Sequence, residues 1–280
     1  MTQQIQWYPG HMAKTLREIG EQIHLVDFVL QIVDARAPQS TQNNQVLQVT
    51  GDRPVILVLN KFDLADPKEA NIFARQNADK FAGILKTDSK SSLMAKDFSK
   101  ELNKLQVIKD IREKKSGDIS LKALVVGTPN VGKSTFINHL AGKNIARTAN
   151  MPGVTKNLYW IRTKYDMDLL DTPGLLWPKF EDQEVGLKIA MIGGIKDSLL
   201  PIDDVAVWFI GFVQKHYPTA IAERYKLGHF SLEEPANTLV SLTAQMGFKQ
   251  DYDRASEKLI REFREGKFGR MSLDYYSDED

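Results

Sequence analysis

The chain has 280 residues, with 37 Lys plus Arg against 36 Asp plus Glu, a formal net charge of +1. That balance excludes a uniformly basic protein that binds nucleic acid by bulk charge, so any such contact needs a local patch. Apolar residues make up 42% and charged residues 26%, a globular rather than a disordered composition. Cysteine is absent, which removes disulfides, thiolate metal sites and cysteine nucleophiles. No apolar run approaches the roughly 20 residues of a membrane span. The first residues lack the apolar core of a signal peptide. A soluble, cytoplasmic protein is expected.

In chain order, Met12, Leu16, Ile19 and Ile23 fall at helical spacing after the turn-forming Pro9-Gly10. The nearly continuous apolar run up to Asp34 and Arg36 reads as a strand buried on both faces, hence parallel. A polar loop and a short helix follow, then a second such strand over 54–61. Asp66-Pro67-Lys68-Glu69 is a helix start: a capping carboxylate, a first-turn proline, and a glutamate that reaches back. A third strand is expected over 82–88, one helix over 92–112, and a fourth strand over 121–127. Residues 157–174 read as a hairpin turning near Lys164-Tyr165-Asp166. Strands alternating with helices predict an α/β fold with a mostly parallel sheet. After about residue 178 the apolar spacing becomes helical, and Gly247 stands where a helix cap would be. The reading divides the chain into 1–178 and an all-helical unit over 179–280, with the acidic end 274–280 frayed.

Gly127-Thr128-Pro129-Asn130-Val131-Gly132-Lys133-Ser134 fits the phosphate-loop pattern G-x-x-x-x-G-K-S/T between a strand and a helix. The glycines let backbone N–H groups wrap phosphates, and the helix N-terminus adds a favourable dipole. Lys133 is the candidate for the terminal phosphates and the Ser134 hydroxyl for Mg²⁺. Thr135 follows on the same turn. Asp171-Thr172-Pro173-Gly174 supplies an aspartate for Mg²⁺ and a glycine N–H for the γ-phosphate. Asn60-Lys61-Phe62-Asp63 has the N-K-x-D form that reads guanine. The Asp63 carboxylate can accept from guanine N1–H and the 2-amino group together, whereas adenine would leave a buried acceptor unpaired. Asp88-Ser89-Lys90, at the next strand end, is a candidate support for the guanine oxygen.

The order of these motifs is inverted. The guanine motif precedes the phosphate loop, as if a closed ring of the same elements had been cut elsewhere. The helical segment therefore follows almost directly on the Asp171–Gly174 switch.

With these motifs in this order the chain resembles the circularly permuted GTPases, and within them the ribosome biogenesis GTPase A family. Further matches are Trp7 to Met12, Asp34-Ala35-Arg36, Pro152 to Thr155, Leu176 to Lys179, and Gly266-Lys267-Phe268-Gly269-Arg270. Phe268 stands where a leucine is usual, and Ser89-Lys90 departs from the usual S-A-K form. The resemblance implies a bacterial GTPase that acts on an immature large ribosomal subunit and its rRNA, with hydrolysis stimulated by the particle and coupled to release. It implies GTP/GDP and Mg²⁺ as ligands and an RNA-contacting helical domain. A monomer is expected.

By sequence, Thr148 and Thr155 are both available as the switch threonine for Mg²⁺ and the γ-phosphate; the resemblance points to Thr155. Leu175 occupies the position where many GTPases orient water with glutamine, and leucine cannot do so. The resemblance carries that role to His11, whose imidazole suits it near neutral pH. Asn130 is a candidate partner of K⁺ beside the phosphates. Arg254, Lys258 and Arg261 share one helical face opposite Leu259 and Phe263, with Lys267 and Arg270 beyond. The alternative class is a GTP-gated switch for a non-ribosomal RNA or protein.

Overall fold

The computed structural model describes residues 11–88, 90–115, 120–146, 158–176, 182–226 and 234–276, and of 11–13 and 44–46 the backbone alone. Among the described residues is one six-stranded sheet, with neighbours in the order β3-β2-β1-β4-β6-β5. Its strands are β1 (Phe28–Asp34), β2 (Val55–Asn60), β3 (Gly83–Lys86), β4 (Leu121–Val126), β5 (Tyr159–Arg162) and β6 (Met167–Asp171). All pairs are parallel except the β5–β6 hairpin at one edge. Every residue of β1 is buried, as its apolar run requires.

The helices of this half are α1 (His11–Gln22), α2 (Asn44–Thr50), α3 (Pro67–Gln76), α4 (Met94–Leu102), α5 (Gln106–Lys114) and α6 (Lys133–Ala141). Phe28, Leu30 and Ile32 point to one face of β1, with Phe98 and Phe136 packed there edge to face. Val29 points to the other face with Ile19 of α1. The α3 start is as expected: Asp66 caps it, accepting from the Lys68 N–H at 2.9 Å. Glu69 instead accepts from the Tyr276 N–H at 2.7 Å. The single helix expected over 92–112 is two, α4 and α5. Leu105 is extended between them and, partly buried, packs its side chain against Gly83 of β3, a contact made where the helix is interrupted.

The C-terminal elements are α7 (Gln183–Met191), α8 (Ile202–His216), α9 (Ala220–Tyr225), α10 (Pro235–Gln245) and α11 (Tyr252–Arg264). They share a core in which Phe209 touches Phe263 and Phe268. Phe268 in place of leucine thus adds an aromatic contact. The run Val207 to Phe212 lies within that core, as its apolar character demands. Among the described residues no helix is long and apolar enough to cross a membrane.

The frayed end was not found for the part of it that is described. Residues 271–276 return to the sheet. Met271 N–H donates to Leu64 O, and Leu273 N–H to Arg36 O. Asp274, 5% exposed, accepts from the Gln39 and Ser40 N–H groups at 2.8 and 2.9 Å and from the Ser40 hydroxyl at 2.6 Å. Lys188 of α7 lies 3.3 Å from the same carboxylate. An acidic composition hid an aspartate whose charge is well partnered. Asp274→Ala is expected to lower unfolding free energy by about 2–4 kcal/mol, because it leaves buried donors unpaired; urea titration reads this.

Candidate nucleotide site

Three loops meet at the C-terminal ends of the parallel strands, where open α/β sheets bind ligands. Gly127–Gly132 links β4 to α6, residues 61–66 link β2 to α3, and Thr172–Gly174 follows β6. Gly132 has φ +97° and directly precedes α6. Its missing Cβ leaves room for the Asn60 carboxamide, which donates to Val131 O at 2.7 Å. The Thr87 hydroxyl in turn donates to Asn60 Oδ1 at 3.2 Å. Asn60 therefore ties the phosphate loop to the guanine-type loop. Gly174 lies against Pro129, where a Cβ would stand 2.9 Å from Pro129 Cα. The Leu175 N–H donates to Gly127 O. Leu175 itself is buried, so its side chain turns into the core and not toward a reacting water.

Beneath these loops lies a buried ion cluster. Asp34, wholly buried, accepts from Arg36 Nε at 2.9 Å and Nη2 at 2.8 Å, a bidentate pair, and lies 3.0 Å from Lys61 Nζ. Burial alone would raise its pKa, but the Arg36 guanidinium and then the Lys61 ammonium hold it far below the carboxylate range. Lys61 Nζ also donates to Asn130 O at 2.6 Å. Burial lowers the Lys61 pKa, and Asp34 opposes that shift. Lys61 and Asn130 both have left-handed backbones, φ +57° and +63°. The bond between them and the Lys61–Asp34 pair are both made from these conformations.

The charge facing the phosphate loop is different. Asp171 is wholly buried, and neither carboxylate oxygen has a well-formed hydrogen bond. Burial pushes its pKa up to about 6, and Lys133 and the Thr172 amide pull it back only in part. Lys133 is itself buried and lowered by desolvation, with Asp171 opposing that shift. A poorly satisfied carboxylate beside a buried ammonium fits a site that takes a metal cation together with anionic phosphate. Among the described residues no cluster of three or more His, Asp or Glu side chains could hold a metal alone. Mg²⁺ binds through one or two protein groups plus substrate phosphates. Asp171 and the half-buried Ser134 are the residues that could hold it. Asp63, open to solvent, has its pKa raised by partial burial and then by the nearby Asp88 charge. Phe62 and Asp88 flank it, and Asp88 Oδ1 accepts from the Lys90 N–H at 2.8 Å.

The structure therefore brings together Asn60, Lys61, Phe62, Asp63, Asp88, Asn130, Val131, Gly132, Lys133, Ser134, Thr135, Asp171 and Gly174. Ser89, Thr148 and Thr155 lie outside the described residues, as do Trp7 to Gly10, Pro152 to Val154 and Trp177 to Lys179. His11 begins α1, and only its backbone is described.

Sequence reasoning gave no role to Asp34, Arg36, Ile192 or Arg264. The Asn130 Nδ2 donates to Ile192 O at 2.8 Å, just beyond α7. Arg264 of α11 fixes that end: its Nε and Nη2 donate to Met191 O and Ala190 O at 2.9 and 2.8 Å. Arg36 Nη1 donates to Phe263 O at 3.4 Å, and its guanidinium stands 4.9 Å from the Phe263 ring centroid. The available signals were a D-x-R at the end of an apolar strand and the pair Gly193-Gly194.

Asp34→Asn is expected to cost about 3–5 kcal/mol at pH 7, because two buried cations lose their partner. The folded-state pKa of Asp34 is depressed, so its contribution is complete above the unfolded value near 4 and is lost as pH falls below it. Urea unfolding should show the gap between variant and wild type narrowing in acid.

Comparison with known proteins agrees with this geometry. Residues 122–229 match the family model described as a 50S ribosome-binding GTPase. The match begins at the strand before the phosphate loop and leaves Asn60–Asp63 outside it. Ribosome biogenesis GTPase A of Bacillus cereus is 41% identical over 96% of this chain and 93% of its own length. The protein of the same name from Bacillus pumilus is 39% identical over 96% of this chain and 98% of its own. The GDP-bound structure of TM YlqF aligns with a TM-score of 0.66 at 22% identity, covering 94% of this chain and 100% of that one. That likeness supports the permuted fold. Sequence, fold and loop geometry converge, and the chain belongs to the ribosome biogenesis GTPase A family of ribosome-assembly GTPases.

Proposed function

We propose that this GTPase acts in late maturation of the bacterial large ribosomal subunit, and that hydrolysis is coupled to its release from the particle. The likeness to the 50S ribosome-binding GTPase family supports the partner, and the observation that supports the coupling is the bond from Asn130 in the phosphate loop to Ile192 O at the end of the first C-terminal helix. A change at the phosphates is then felt at once by the segment available to hold a partner. The proposed division is a nucleotide switch over 1–178 and a helical, rRNA-contacting unit over 179–280, working as a cytoplasmic monomer. Arg254 and Arg261 are exposed and Lys258 partly so; Arg254 is braced 4.4 Å from the Phe248 ring centroid. These three are the proposed phosphate contacts with RNA. Lys267, 2.6 Å from Glu265, is a weaker candidate.

At the nucleotide, Asn60, Lys61, Phe62, Asp63, Asp88 and Ser89 are proposed to hold guanine. Asn130 to Thr135 and Gly174 are proposed to hold the phosphates. Ser134, Thr155 and Asp171 are the proposed holders of Mg²⁺, which when bound would neutralise charge on the phosphate oxygens. Lys133 and Thr155 would stabilise the same charge, and His11 would orient the attacking water in place of the buried Leu175. Asn130 is proposed to favour K⁺ beside the phosphates.

The test of the partner is co-sedimentation with ribosomal subunits from cells depleted of the protein. Binding to large-subunit particles with a non-hydrolysable GTP analogue, and loss of binding with GDP, is expected. Sedimentation with no ribosomal particle, or equally in both states, would reject the proposal. In the presence of the particle, His11→Ala is expected to lower kcat by about 10²–10³-fold while leaving nucleotide affinity intact. Exchange of K⁺ for Na⁺ should also slow turnover; stimulated kinetics reads both.

A further inference from the structure

The loop that carries Asp63 is gripped from far along the chain. Arg270 Nη2 donates to Phe62 O at 2.7 Å, and its Nε donates to Ala65 O at 2.8 Å. Between these bonds the Met271 N–H donates to Leu64 O at 3.0 Å. The Arg270 guanidinium also stands 5.4 Å from the Phe62 ring centroid, and Lys86 Nζ stands 5.1 Å from the same centroid. Gly266, with φ +76°, lies so close to Leu64 that a Cβ would meet its Cδ2 at 2.7 Å. One planar fork thus bridges the carbonyls on either side of Asp63, and the residue after it takes the carbonyl between.

This loop needs such support. It opens at Lys61, whose left-handed backbone brings its Cβ close to the following carbonyl oxygen, a cost that glycine would not have. A carboxylate that must meet two donors on one base edge loses most of its selectivity when its backbone drifts. A guanidinium presents its donors in a fixed fork and can bridge two carbonyls, whereas an ammonium cannot reproduce that geometry. Arg270 belongs by sequence to the motif that follows the helical segment, where its charge reads as a solvated or RNA-facing one. Although Arg270 is exposed, its Nε and one Nη2 donor are directed to the guanine-type loop instead.

We propose that Arg270 is a positioning residue for guanine selection, fixing the backbone on both sides of Asp63 so that the carboxylate meets the N1–H and 2-amino groups together. The proposal rests on the reading of Asp63 as the guanine contact. The helical segment would then set base specificity as well as follow the phosphates.

The experiment compares affinities of the full chain for GDP and for IDP, which lacks the 2-amino group. Wild type is expected to favour GDP by about ten- to a hundredfold, the worth of one hydrogen bond to a carboxylate. Arg270→Ala is expected to shrink that ratio by at least about threefold, and Arg270→Lys should not restore it. An unchanged ratio in a folded variant, or an equal loss of both affinities, overturns the proposal even if Tm falls. Should Arg270→Ala fail to fold, Arg270→Gln, which keeps a single donor group but not the fork, reads the same ratio. A wild type that does not separate GDP from IDP, or an Asp63→Asn variant that keeps the GDP preference, overturns the reading of Asp63 itself. A wild type that separates them and an Arg270→Ala variant that separates them equally overturns the role of Arg270 alone.

Discussion

A carboxylate wholly out of water, Asp34, organises this molecule. Alone it would be costly to bury, so it is stable only with both Arg36 and Lys61 in place. Each cation then has donors left over, and their use links separate parts of the chain. Lys61 spends its remainder on Asn130 O in the phosphate loop. Arg36 spends its own on Phe263 O and on the face of the Phe263 ring. A charge at the end of β1 thus holds the guanine-type loop, the phosphate loop and the last helix in one register.

The permuted order gives that register its use. In this chain the switch aspartate and glycine lead straight into the C-terminal helices, and α7 ends with a carbonyl on the Asn130 side chain. Those helices reach the nucleotide site at the phosphate end through Ile192 and at the base end through Arg270. The site is held as if between the jaws of a caliper. The buried Asp171 is the complementary feature: a carboxylate with no well-formed hydrogen bond on either oxygen and, among the described residues, only the Lys133 charge beside it, which is why it is the proposed holder of Mg²⁺.

Much of this was legible in the sequence. Residues 127–134, 171–174 and 60–63 are local patterns whose glycines, lysines and carboxylates each have one evident job, and continuous apolar runs announced the parallel strands. Helix α3 could be placed from Asp66 and Pro67 because capping is local chemistry. What stayed hidden depends on pairs far apart in the chain. The break between α4 and α5 arises from Leu105 meeting Gly83. The docking of Asp274 depends on amides of Gln39 and Ser40. Arg270 looked like an ordinary charge because its acceptors are backbone carbonyls more than 200 positions away, which no side-chain pattern reveals.

The grip of Arg270 on the guanine-type loop joins residues 205 and 208 positions apart. During synthesis the loop is made early and its clasp very late. Through most of translation the Asp63 carboxylate therefore sits on a loop without its backbone fork, and closing so long a contact is entropically slow. Guanine selectivity would then mature as the final step of folding, after the phosphate loop already has its strand and helix. A chain that stops short of residue 270 would then hold phosphates with a weaker preference for guanine.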